Sequence, residues 1–218
     1  TSRAATAYGY LQMNKIFTLV LLLTAGTHAL AADAPSAEML AGCAACHGAA
    51  GEGNQALGAP PLAGQDAAYL ARQLHNFKAG RRGYAEQDQA GQQMRAFASG
   101  LGEESIASLS AYFAGLPAVK LPAAASAVSP DGAARYQTTC AYCHGEQAQG
   151  YPQMQAPNLR LLGGWYIDQQ LTSYRQGWRG AEAHADIQGM WMRSIASQVT
   201  ADEQPAVVGF IDSLGGAQ

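Results

Sequence analysis

The chain is 218 residues long, 48% hydrophobic and 13% charged, with 25 Gly and 9 Pro. A disordered chain of this size would be poorer in apolar residues and richer in charge, and a net charge of −3 provides no basic surface for nucleic acid. Four cysteines are too few for a disulfide-stapled scaffold, and all four sit in two short, similar clusters.

The first element is a targeting segment. Met13-Asn14-Lys15 is a basic start, Ile16 to Leu23 is a short apolar run, and small residues lead to Ala29-Leu30-Ala31. That order is the pattern of a secretory signal peptide, and the run is shorter than the roughly 20 residues of a membrane span. Thr1 to Gln12 read as translated upstream sequence ahead of a natural start at Met13. Residues 1–31 are therefore expected to be upstream residues plus a leader cleaved after Ala31, with an uncleaved anchor as the competing reading. Such cleavage would export the mature chain, which is expected in the periplasm.

Beyond Ala31 the chain is one pattern written twice. Sliding the second half back by 97 residues lays Cys140-Ala141-Tyr142-Cys143-His144-Gly145 on Cys43-Ala44-Ala45-Cys46-His47-Gly48. In the same register Ala156-Pro157 and Leu159 match Ala59-Pro60 and Leu62, and Tyr166 to Leu171 falls on Tyr69 to Leu74. Gly177-Trp178-Arg179-Gly180 falls on Gly80-Arg81-Arg82-Gly83. One inserted residue later, Met192-Arg193 matches Met94-Arg95. Landmarks repeated in order predict a duplicated domain, 32–118 and 131–218. Between them lies a Pro/Ala linker, 119–130, whose prolines and small residues favour an extended tether.

Within each copy the periodicity is helical. Leu70, Leu74 and Phe77 share a stripe at i, i+4, i+7, repeated by Tyr166, Ile167, Leu171 and Tyr174. Each copy closes on a further amphipathic segment, through Ile106, Leu109 and Phe113 and through Val207, Phe210 and Ile211. Thr200-Ala201-Asp202-Glu203 reads as a capping box, with Pro205 arguing that the last helix starts a residue or two later. No stretch alternates as a strand. The fold class is all-α: two tandem domains of short helices and long loops, each with little apolar surface of its own and in need of a staple or a cofactor.

The chemistry sits at Cys-x-x-Cys-His, the attachment signature of c-type haem. Two intervening residues set the sulfurs to reach the two vinyl groups of one porphyrin, and the adjacent His lies under the iron. Cys43, Cys46 and His47 would hold one haem and Cys140, Cys143 and His144 the other, making two covalently bound haem c groups. A redox disulfide belongs at a strand-to-helix junction, and a shared zinc site wants its cysteine pairs close; neither condition is visible in the sequence. A second axial ligand recurs as Met94 and Met192, whose soft thioethers suit electron transfer. Met190 competes with Met192, and only Met192 keeps the repeat register. Met39 and Met154 read as core or loop fillers. His75 and His184 have no counterpart in the opposite half and read as surface histidines. A backbone carbonyl at Pro60 or Pro157 is placed to accept the N–H of the neighbouring motif histidine, as ligand-orienting partners do. Gly48, Gly51, Gly53, Gly145 and Gly150 either let backbone approach the macrocycle or serve ordinary loops.

This constellation resembles the dihaem class I cytochromes c, most closely the two-domain cytochrome c4 type, over roughly residues 33 to 217. The resemblance implies two small helical domains in a pseudo-twofold arrangement, with His47/Met94 and His144/Met192 as axial pairs. It also implies a Gly and an aromatic on the first helix of each domain, packed on an aromatic of the last. Gly132, Tyr136 and Phe210 supply these in the second half, whereas the first has Pro35 and Met39 opposite Tyr112. The implied function is electron carriage rather than catalysis. A cytochrome bc complex or a dehydrogenase would be the donor and a terminal oxidase the acceptor, with peripheral membrane association allowed. The alternative is a cytochrome subunit of a periplasmic dehydrogenase complex. A dihaem peroxidase would need an open iron, against a Met in each half. A thiosulfate-oxidising enzyme of related build would need a Cys ligand, and attachment consumes all four.

Overall fold

The structure is a computed structural model that describes residues 34–121, 129–184 and 186–215. The leader read at 1–31 lies outside the described residues, as does 122–128 of the linker.

The first half runs through α1 (Ala37–His47), α2 (Ala67–Lys78), α3 (Gln89–Ala98) and α4 (Glu103–Gly115). The second runs through α5 (Pro130–Thr139), α6 (Ala141–His144), α7 (Gly164–Arg175), α8 (Ile187–Ala196) and α9 (Gln204–Gly215). Among the described residues the extended pairings are two isolated antiparallel bridges, Asn54–Ala59 and Tyr151–Ala156, at matched places in the repeat. The all-α expectation holds.

Short polar side chains start several of the helices. Asp66 accepts the Tyr69 N–H at 2.7 Å to open α2. Asp88 and Asp186 accept from Gly91 and Gly189 at 2.9 and 2.8 Å, opening α3 and α8 in the same way. Thr200 and Glu203 exchange the two reciprocal bonds of a capping box, at 2.8 and 3.2 Å, and α9 begins only at Gln204. Pro205 then falls in the first turn, where a missing N–H costs little.

Each half has its own core. In the first, Tyr69, Leu70 and Phe77 of α2 bury against Ile106, Leu109 and Phe113 of α4. In the second, Tyr136 of α5, Tyr166 and Ile167 of α7, and Val207 and Ile211 of α9 come together. Burying side chains of this size stabilises by about 1.5–3 kcal/mol each. The halves differ at their first helix. α5 crosses α9 so closely that a Cβ on Gly132 would lie 2.1 Å from the Ala206 carbonyl oxygen. Tyr136, fully buried there, sets its ring 5.1 Å from that of Phe210 and donates its hydroxyl to the Gly145 carbonyl at 2.7 Å. With Pro35 in the matched place, the first half cannot extend its helix so far back: Ser36 caps α1, which starts at Ala37 and fully buries only His47. α1 thus begins two residues after Pro35, later in the repeat than α5 does.

The crossing makes a measurable contrast. Gly132→Ala forces α5 and α9 apart and is expected to destabilise the holoprotein by about 2–3 kcal/mol in denaturant unfolding. Gly209→Ala on α9, where an added Cβ meets no atom within 4 Å, is expected to be neutral or stabilising by up to about 1 kcal/mol.

Candidate functional site

Each half encloses an apolar cavity, of about 250 Å³ in the first and about 130 Å³ in the second. Close-packed interiors do not leave voids of that size by accident. Cys43, Cys46 and His47 line the first cavity together with Pro60 and Met94; Cys140, Cys143, His144, Pro157 and Met192 line the second. Leu74 and Leu171, on the predicted stripes, also face the cavities, so they are only partly buried by protein.

The histidines are held by backbone. His47 Nδ1 lies 2.8 Å from the Pro60 carbonyl oxygen and His144 Nδ1 3.1 Å from that of Pro157. A carbonyl can only accept, so Nδ1 carries the proton and Nε2 keeps its lone pair. Burial lowers both imidazole pKa values, against the carbonyl contacts that raise them, which favours the neutral ring. The loop reaches this position through a glycine in the left-handed region. Gly53, at φ +82°, leaves no room for a Cβ, which would sit 2.6 Å from Pro61 N; Gly150, at φ +74°, repeats this against Ala156 O. These two glycines therefore let the loop fold back on itself. Burial also pushes the Cys43 thiol up and the Cys140 thiol up to about 11, so neither resembles the low-pKa thiolate of a redox disulfide.

The other candidate ligands separate cleanly. Met190 is 38% exposed and stands outside the cavity that Met192 lines. Met39 packs on the first core, and Met154 lines the second cavity. His75 faces Glu103 at 3.6 Å, and His184 stacks on Tyr84 with centroids 4.3 Å apart; neither lines a cavity.

Between the cavities lies a cage that motif reading missed. Arg82 and Arg179, 6% and 7% exposed, have no acidic partner within 4 Å among the described residues. Gln73 Oε1 accepts from both, at 2.9 Å from Arg82 Nη1 and 2.8 Å from Arg179 Nη2. Gln170 Oε1 does the same at 3.2 and 2.6 Å, and Tyr166 Oη lies 3.2 Å from Arg82 Nη2. Each guanidinium covers a ring of its own half, Phe77 at 4.2 Å and Tyr174 at 4.5 Å. Arg82 Nε and Gln73 Nε2 are buried without a partner. Two buried cations without a counter-charge, beside the orphaned Arg82 Nε and Gln73 Nε2 and at the walls of both cavities, fit a ligand that brings carboxylates. The signal was present in the repeat, where Gln73/Gln170 and Arg82/Arg179 match, but spacing alone did not pair them across the halves. Beside the cage, Arg72 pairs with Asp186 at 2.8 Å, and Gln65 exchanges two 3.0 Å bonds with the Asn158 backbone.

The family model described as cytochrome c matches residues 34–117 and again 129–215. The chain is 31% identical to cytochrome c4 of Pseudomonas aeruginosa over 212 residues, 93% of this chain and 100% of that protein. It is 32% identical to the thiosulfate dehydrogenase electron acceptor of Thiomonas intermedia, over 88% of this chain and 86% of that one. The crystal structure of reduced cytochrome c4 from Pseudomonas stutzeri superposes with a TM-score of 0.65 at 28% identity, covering 83% and 99% of the two chains.

The polar seam sets two measurable outcomes. Gln73→Leu strips an acceptor from both guanidiniums and is expected to cost about 2–5 kcal/mol in unfolding of the holoprotein. Burial pushes the Asp186 carboxyl up, but hydrogen bonds from Asn76, Arg72 and the Gly189 N–H, with the Arg72 charge, outweigh it and hold the group below its ordinary range. A depressed carboxyl stabilises fully above its unfolded pKa, and that gain is lost as pH falls through the folded value. The unfolding free-energy gap between the wild type and Asp186→Asn is therefore expected to be flat from about pH 5 to 7 and to shrink below about pH 4.

Proposed function

We propose, from the premise that the chain belongs to the cytochrome c family as a dihaem class I member related to cytochrome c4, how its residues serve the electron transfer of that family. Such proteins carry electrons between a redox donor and an acceptor, hold two haem c groups and are not catalysts. When bound, haem supplies reversible one-electron exchange at its iron.

In this reading Cys43 and Cys46 hold the first haem and Cys140 and Cys143 the second. Each thiol would join the porphyrin by adding across one vinyl group, giving a thioether. His47 and Met94 are the iron ligands of the first half, His144 and Met192 those of the second. Pro60 and Pro157 fix the ring orientation of the histidines and keep Nε2 free for the metal. Arg82 and Arg179 answer the propionate carboxylates with their unmatched charge, which would supply the counter-charge that the cage lacks. The apolar side chains exclude water, which favours the less charged, reduced centre.

The observation that carries this reading is the doubled geometry itself. A Cys-x-x-Cys-His helix end, a carbonyl-held imidazole and a methionine in one register share one apolar cavity, twice. The domain boundaries 32–118 and 131–218 and the linker 119–130 follow from the same repeat. Cytochrome c4 homologues are typically periplasmic, and a leader cleaved after Ala31 would deliver this chain there. A cytochrome bc complex or a dehydrogenase is the proposed donor and a terminal oxidase the acceptor. The likeness to a thiosulfate dehydrogenase electron acceptor favours a second reading, in which a periplasmic dehydrogenase is the direct donor and the chain works as its cytochrome partner.

Thioether ligation gives ferric haem a weak long-wavelength charge-transfer band. Met94→Ala and Met192→Ala are each expected to remove about half of it and to lower one of two potentials in a redox titration, with Met190→Ala leaving both unchanged. Retention of the band in Met192→Ala with loss in Met190→Ala would reverse the assignment in the second half.

A further inference from the structure

The two cavities are built alike but are not held alike. Arg72 stands on α2 of the first half, 18% exposed at its side chain, and reaches across the seam. Its Nη1 donates to Asp186 Oδ2 at 2.8 Å and its Nη2 to the Gln155 carbonyl at 2.8 Å. Asn76, one turn further along α2, donates to the same Asp186 oxygen at 2.7 Å. The other Asp186 oxygen accepts the Gly189 N–H at 2.8 Å and so caps α8, the helix that carries Met192. Gln155 lies two residues before Pro157, whose carbonyl takes the His144 N–H. Its side chain in turn accepts from Gln188 Nε2 of α8 at 2.7 Å. One guanidinium thus ties the loop that orients His144 to the start of the helix that delivers Met192.

No such tie serves the first cavity. Gln169 takes the place of Arg72 in the repeat, Ser173 that of Asn76, and Gly58 that of Gln155. Asp88 caps α3 through the Gly91 N–H at 2.9 Å, and among the described residues no side chain of the second half donates to it. Gly58 adopts its left-handed conformation freely, whereas Gln155 holds φ +53°, a conformation that a side chain disfavours and that the Arg72 bond to its carbonyl helps to retain. The fork geometry of a guanidinium is what allows two acceptors on separate segments to be held at once.

We infer that Arg72 is a positioning residue acting in trans: the first half holds the iron-ligand pair of the second through Asp186 and Gln155, while the first half's own pair is held locally. This rests on the proposed ligation by His144 and Met192. Its consequence is that the strength of the Met192 bond depends on the Arg72 tie across the seam, and that of Met94 does not.

The test uses the full-length protein with both haems bound, and imidazole as a competitor for the methionine position. Met94→Ala and Met192→Ala first assign the two components of the charge-transfer band. Arg72→Gln, which installs the side chain found at 169, is expected to make imidazole displace the Met192 component about 5- to 30-fold more readily, the range for the loss of one or two kcal/mol. The Met94 component should stay unmoved. Asp186→Asn should do the same, and the double variant should add little. Arg72→Lys, which keeps the charge without the fork, should fall between and guards against a variant that fails to fold. Equal weakening of both components, or none in either, overturns the inference. Should Met192→Ala leave the band intact, it is the ligand assignment that has failed.

Discussion

A buried imidazole can serve a metal only when its other nitrogen is already committed, and the bond from His47 or His144 to a proline carbonyl is the contact on which the rest depends. It requires a helix that ends at the histidine, then a glycine with positive φ so that the loop can double back. A proline stands at the return, where its ring holds the backbone extended and its carbonyl is free. The two cysteines precede the histidine at the same helix end and line the same cavity, so the element that aims the ring also places the thiols. Cores, caps and seam can all be seen as means of keeping those few atoms in place in domains too small to close on their own apolar surface.

Much of this was legible in the sequence because it is local. Cys-x-x-Cys-His, the proline 13 residues beyond each histidine, the methionine register and the helical stripes are all written along one segment or repeated in order. The repeat register also singled out Met192 over Met190; two residues apart on α8 they stand on opposite faces, and Met192 lines the cavity while Met190 does not. The late start of α9 was readable from Pro205. The stripes, however, overstated the core: Leu74 and Leu171 face the cavities, and protein alone buries them only in part.

What the sequence concealed is everything that crosses from one half to the other. Gln73 and Arg82 are nine residues apart and look like a polar face and a surface charge. Only where the two halves meet do two glutamines and two arginines become a buried cage. Arg72 and Asp186 are 114 positions apart, and no periodicity links them. Pairing of this kind is set by docking rather than by local propensity, so matched polar residues in a repeat signal it only once two copies are known to meet.

The cavities also share walls. Tyr166 and Gln170 line the first, although they belong to the second half, and Tyr69 and Arg72 line the second, although they belong to the first. A duplicated unit that borrows a wall from its twin has ceased to be a module. Neither copy can drift in sequence along α2 or α7 without altering the lining of the other's chamber. A side chain changed on one of these helices therefore reshapes two chambers at once, and the two centres cannot be adjusted separately.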